Sequence, residues 1–121
     1  MIETFRAALD SGVTTSRSLV ENCLERATAE SGEGSRTFVH LLADAARAEA
    51  DAIDRRRRAG IWTGWLGGIP LSVKDLFDIR GLPTTAGSTV LADAPAAAQD
   101  AVVVERLRAA GGVIIGRTNM T

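Results

Sequence analysis

Apolar residues recur at helical spacing through the first half of the chain. Ile2, Phe5 and Leu9 share one face, and Gly12 can close that first helix in a left-handed conformation. A second helix starts near Thr15 or Ser16, with Ser18 and Glu21 as an alternative capping box. Its apolar stripe is Leu19, Val20, Cys23, Leu24 and Ala27. The composition of residues 31–35 predicts a turn, and residues 37–40 a bridge or strand fragment. A third helix is predicted over residues 42–59, ended by Gly60. Its stripe of Leu42, Ala46, Ala50 and Ile53 is mostly small, which suits close packing.

The pattern changes after residue 60. Ile69, Leu71 and Val73 alternate with Pro70, Ser72 and Lys74, the signature of a strand. Pro70 lacks an amide donor and belongs at a strand start or edge. Residues 81–88 form a loop, and Pro95 blocks an early helix start in the Ala-rich stretch after it. Asp100 is the predicted N-cap of a helix over residues 101–110. Gly111 and Gly112 close that helix. Val113, Ile114, Ile115 and Gly116 form an uninterrupted apolar run, as in a parallel strand covered on both faces. Strand, helix and strand make a βαβ unit. The expected class is α/β: N-terminal helices over residues 1–60, then the first βαβ part of a mixed sheet flanked by helices over residues 61–121, all within one domain.

Composition narrows the function classes. The 121 residues are 45% apolar and 24% charged, with a net charge of −1. That balance suits a globular fold and lacks the basic excess of a nucleic-acid footprint, so no nucleic-acid partner is expected. One cysteine, Cys23, allows no internal disulfide, which fits a reducing compartment. The first residues carry no basic run leading into an apolar stretch, and no apolar run reaches the roughly 18 residues of a membrane span. A cytoplasmic location without membrane partners is the default expectation.

Lys74 carries the chemical interest. It ends an alternating strand, where open α/β sheets place their ligand sites. Burial there disfavours the charged ammonium, and a neutral amine can serve as a general base, as in Ser–Lys catalytic pairs. The alternative is an ion pair with Asp75 or Asp78 at the sheet rim. Spacing alone leaves both open.

The segment Gly68-Ile69-Pro70-Leu71-Ser72-Val73-Lys74-Asp75 resembles a characteristic stretch of the amidase signature family. The resemblance continues through residues 81–88, through Asp100-Ala101-Val102-Val103 and Arg106-Leu107-Arg108-Ala109-Ala110-Gly111, and into Ile115-Gly116-Arg117-Thr118-Asn119-Met120. One departure is Gly67, where many relatives carry His. The resemblance implies an amide hydrolase with a Ser–cis-Ser–Lys triad and an acyl-enzyme intermediate. Lys74 matches the triad lysine, and Asn119 and Met120 fall where the acyl pocket forms. It implies a small-molecule amide substrate, no cofactor and no metal.

By the resemblance, the bridging serine belongs to a Gly-Gly-Ser-Ser-Gly-type run and the nucleophile to a later Asp-Thr-Gly-Gly-Ser run, both expected beyond Met120, so these 121 residues alone are expected to be inactive. Ser72 is expected to face away from Lys74, and Ser88 to stand outside the triad. A second reading is a non-catalytic truncated or split-gene product that binds a complementary chain or a second copy, because unfinished sheet edges recruit partners. So short a sheet is expected to be marginally stable by itself.

Other residues invite weaker readings. Cys23, within an apolar stripe, is read as an inert thiol. His40, isolated from other ligand types, is read as structural or exposed, with no metal site. The run Arg55 to Arg58 suggests RNA contact, but cations at a helix C-terminus also favour the macrodipole and solvate the surface. Gly111-Gly112 precedes a strand, not a helix, so it makes no phosphate loop. Trp62 and Trp65 are expected to pack the helices onto the sheet.

Overall fold

The computed structural model describes residues 1–91 and 93–119. The order is α1 (Ile2–Asp10), α2 (Ser16–Thr28), α3 (Gly34–Thr37), β1 (Phe38–Leu41), α4 (Ala43–Arg58), β2 (Pro70–Lys74), α5 (Val102–Ala109) and β3 (Val113–Thr118). The three strands lie in the order β1-β3-β2. β1 is antiparallel to β3 and β2 is parallel to it, so the sheet is mixed, as expected.

β3 is the spine because its side chains feed two cores. Val113 and Ile115 pack with Val20 and Leu24 of α2 and Ala46 and Ala50 of α4. Ile114 packs on the other face with Val73, Ile79 and Val104. Helices therefore cover both faces, which explains why the strand has no polar alternation. Small residues on α4 allow close approach: Ala46 and Ala50 are fully buried.

Two local predictions need correction. Residues 34–37, read as turn and bridge, form a helical turn before β1. The cap of α5 is Ala101. The Asp100 carboxylate instead accepts the Arg80 N–H at 2.8 Å and pairs with Arg108 at 3.2 Å. For α2 the choice resolves to Thr15, whose hydroxyl accepts the Ser18 N–H at 3.1 Å. The next two orphan donors of that helix end go to a residue far away in sequence: Asp54 of α4 accepts Ser16 N–H at 2.8 Å and Arg17 N–H at 3.0 Å. Salt bridges from Arg47 to Glu21 and from Arg17 to Asp51 reinforce the same helix pair, and Arg17 also pairs with Glu21 within α2.

The segment between α4 and β2 docks on the turn between α5 and β3. Leu66 N–H donates to Ala110 O at 2.8 Å and Gly68 N–H to Gly111 O at 2.9 Å. Gly111 has φ +92°, and a Cβ there would collide with the Thr63 carbonyl oxygen. Both the backbone conformation and the close approach demand glycine. This docking sets the start of β2 and hence where Lys74, its last residue, emerges.

Candidate active site

Lys74 ends β2, opposite Thr118 of β3. Its neighbours Val73 and Asp75 are buried at 4% and 1% exposure, whereas Lys74 itself is exposed. The burial anticipated for the amine is absent because β2 is an edge strand with no further strand beside it among the described residues. The ion-pair alternative is also not realised. Asp75 faces Arg117, and Asp78 accepts the Thr84 hydroxyl.

Ser72 corrects a second expectation. Positions two apart on a strand share a face. Ser72 and Lys74 are both exposed while Val73 between them is buried, so they lie on the same side. Ser88 sits in the loop, its N–H donating to Thr85 O at 2.8 Å. Asn119 follows the residue opposite Lys74, so it reaches the same end of the sheet. It is exposed, and its N–H donates to Thr37 O at 2.8 Å. Met120 lies outside the described residues.

Beneath Lys74 is a buried polar cluster that the sequence reading missed. Asp75 Oδ1 lies 3.5 Å from Arg117 Nη1, and the two side chains are 2% and 3% exposed. Asp75 Oδ2 accepts the Thr85 hydroxyl and the Gly87 N–H. Arg117 donates to Phe77 O at 2.7 Å, to Thr84 Oγ1 at 3.0 Å and to Pro83 O. One guanidinium thus ties Phe77, near the start of the segment that follows Lys74, to Pro83 and Thr84.

Arg117 reaches that loop because of a bulge. Leu71 pairs with Ile114, but Ser72 pairs with Gly116, so Ile115 is extra on β3. Strict alternation would put Arg117 on the face of Val113 and Ile115. The extra residue moves it to the face of Ile114 and Val73, where the loop lies. A charged residue next to the end of an apolar run marks Arg117 as unusual in the sequence, but it does not tell which face the residue takes.

The family model for the amidases matches residues 18–121. The chain belongs to the amidase family. Its relatives include a glutamyl-tRNA(Gln) amidotransferase subunit of Chloroflexus aurantiacus, 46% identical over 114 residues, which cover 94% of this chain and 23% of that protein. The 1-carboxybiuret hydrolase subunit AtzE of a Pseudomonas species is 46% identical over 110 residues, covering 91% of this chain and 24% of that one. The peptide amidase of Stenotrophomonas maltophilia superposes with a TM-score of 0.87 at 36% identity, covering 98% of this chain and 24% of that structure. This amidase-family chain therefore spans about a quarter of the length of the relatives it matches.

Elsewhere in the amidase-family chain, Cys23 is half-buried, and burial pushes its thiol up from the ordinary value, which suits an inert role. His40 is exposed on β1. Among the described residues no three His, Cys, Asp or Glu side chains gather as metal ligands, and no helix is long and apolar enough to cross a membrane.

The arginine run is more than a solvated surface. Arg57 donates to Thr63 Oγ1 and Gly67 O, both at 3.0 Å, and Arg56 donates to Trp62 O. They pin the segment leading into β2. Trp62 and Trp65 do not pack helices onto the sheet: they are 61% and 67% exposed, edge to face with each other, with Arg6 4.9 Å above the Trp65 ring. A cavity of about 390 Å³ lined by Glu49, Arg56, Trp62, Thr63, Arg108 and Gly111 opens at the other end of the strands from Lys74.

Proposed function

We propose that these residues are the N-terminal part of an amide hydrolase in which Lys74 is the general base. One observation carries the reading. Within the segment that matches the family, Lys74 stands exposed at the C-terminal end of an edge strand, with no ion-pair partner among the described residues, between two buried neighbours. Polypeptide docking along β2 would cover the amine and bring seryl oxygens to it. The amine would then take a proton relayed through a bridging serine from a nucleophilic serine. That serine would attack the amide carbon, the proton would pass from Lys74 back through the bridging serine to the leaving nitrogen, and the carbon–nitrogen bond would break to leave an acyl-enzyme for water or ammonia to discharge. Backbone N–H groups near the nucleophile would hold the oxyanion.

The serines must come from elsewhere, because these 121 residues contain neither a Gly-Gly-Ser-Ser nor an Asp-Thr-Gly-Gly-Ser run. Alone they are inactive. Asn119 and Met120 are proposed as substrate-binding residues. The amide substrate is a small molecule, and the setting is cytoplasmic.

The test is amide hydrolysis by the complete polypeptide. Lys74→Ala should lower kcat/KM by at least about 10³-fold while the fold persists. Residues 1–121 alone should show no turnover, and co-expression with the remainder should restore it. Full activity of the Lys74→Ala protein would end the reading, and so would Lys74-dependent turnover by the isolated chain.

A second reading has its own support in the unpaired edge of β2: a non-catalytic chain that works only by binding a complementary chain or a second copy. The coding sequence downstream discriminates. A Gly-Gly-Ser-Ser run downstream, in frame or shifted, supports a chain truncated or split from a hydrolase. A terminator followed by unrelated sequence favours the binding module.

A further inference from the structure

We propose that the buried Asp75–Arg117 pair is a positioning device for Lys74, fixing the face of the sheet from which the amine projects. The inference rests on the reading of Lys74 as the base and adds residues that act through it.

Lys74 is clamped on both sides along the chain. Val73 is packed into the core with Ile79, Val104 and Ile114. Asp75 is fixed by its backbone as well as its side chain: its N–H donates to Thr118 O at 2.9 Å, and its carbonyl accepts the Ala86 N–H at 2.9 Å. The Lys74 carbonyl accepts the Phe77 N–H at 3.2 Å, and the Phe77 carbonyl is in turn held by Arg117. With both neighbours committed to the buried face, Lys74 has only the opposite face available.

The pair also resists the alternative arrangement. Were Asp75 to rotate outward, it would reach Lys74 and leave Arg117 buried without its carboxylate. An uncompensated buried charge is costly, so Arg117 keeps Asp75 away from the amine. Arg117 thereby preserves Lys74 as an unpaired base. The bulge at Ile115 is what brings the guanidinium to this side, so the fold carries an irregularity that serves the geometry of Lys74.

The experiment uses the complete polypeptide and four variants: Lys74→Ala, Asp75→Asn, Arg117→Lys and Thr85→Val. Two readouts are taken, steady-state amide hydrolysis and the pH dependence of amine labelling at Lys74 by mass spectrometry. Asp75→Asn should lower kcat by roughly 10–100-fold with KM little changed, because a misplaced base loses rate rather than binding. It should also shift the labelling midpoint of Lys74. Arg117→Lys, which keeps the charge but loses the fork, should lower kcat less than Asp75→Asn does. Thr85→Val removes one hydroxyl donor to Asp75, so it tests the same network if Asp75→Asn fails to fold, and it should move both readouts in the same direction.

If Lys74→Ala abolishes turnover while Asp75→Asn and Thr85→Val leave kcat and the labelling midpoint unchanged, the positioning role is wrong and the base assignment survives. If the variants lower thermal stability alone, the pair is structural only and the proposal is overturned. If Lys74→Ala is fully active, the base assignment itself fails.

Discussion

Asp54 offers a test of how the helical half holds together. Its carboxylate, on α4 and 6% exposed, accepts the N–H groups of Ser16 and Arg17 at the start of α2. Asp54→Ala removes both acceptors. A buried donor left without a partner costs about 1–3 kcal/mol, and loss of a helix cap about 0.5–2 kcal/mol. Water entering the vacated space offsets some of this, so a net loss of about 2–4 kcal/mol is expected. Asp54→Asn keeps one carbonyl oxygen and should lose about half as much. Urea unfolding followed by circular dichroism reads the change as a lower midpoint with an unchanged slope. An Asp54→Ala midpoint equal to the parent's would refute the cross-helix cap. So would an Asn variant less stable than the Ala variant, since an acceptor would then be worse than none.

Two more outcomes follow from single contacts. Gly111→Ala meets a left-handed backbone and drives its new Cβ into the Thr63 carbonyl, so it should destabilise by more than about 2 kcal/mol; an unchanged melting temperature would contradict the tight docking of the segment before β2. Burial holds the Glu49 carboxyl above its ordinary 4.5, with Arg108 offsetting part of that rise. The folded state therefore binds this proton more readily than the unfolded one, so the stabilisation is fully present below the ordinary value and lost as pH rises through the elevated one. Glu49→Gln should remove that slope, and a constant stability difference between the two proteins from about pH 4 to about pH 7 would refute it.

Much of the fold was legible because its elements are locally consistent. The α2 and α4 stripes, the alternation before Lys74 and the apolar run of β3 each follow from one period. The misses have a common cause in tertiary competition. Asp100 reads as a cap but is taken by Arg80 and Arg108. Trp62 and Trp65 read as core, yet Arg56, Arg57 and the glycine contacts hold their segment in place without burying the rings. The place of Lys74 at a strand end was legible from the alternation before it. Arg117 was not, because a bulge changes the phase of the alternation and nothing in the run Val113 to Thr118 announces where the extra residue falls.

The central claim is that Lys74 delivers its amine to seryl oxygens supplied by polypeptide outside these 121 residues. The most direct measurement is the distance from Lys74 Nζ to the nearest seryl Oγ in an experimental structure of the complete protein. The account predicts about 2.6–3.2 Å, with the β2 edge covered and the amine withdrawn from solvent. An amine still in bulk water, with no serine near it, would contradict the account.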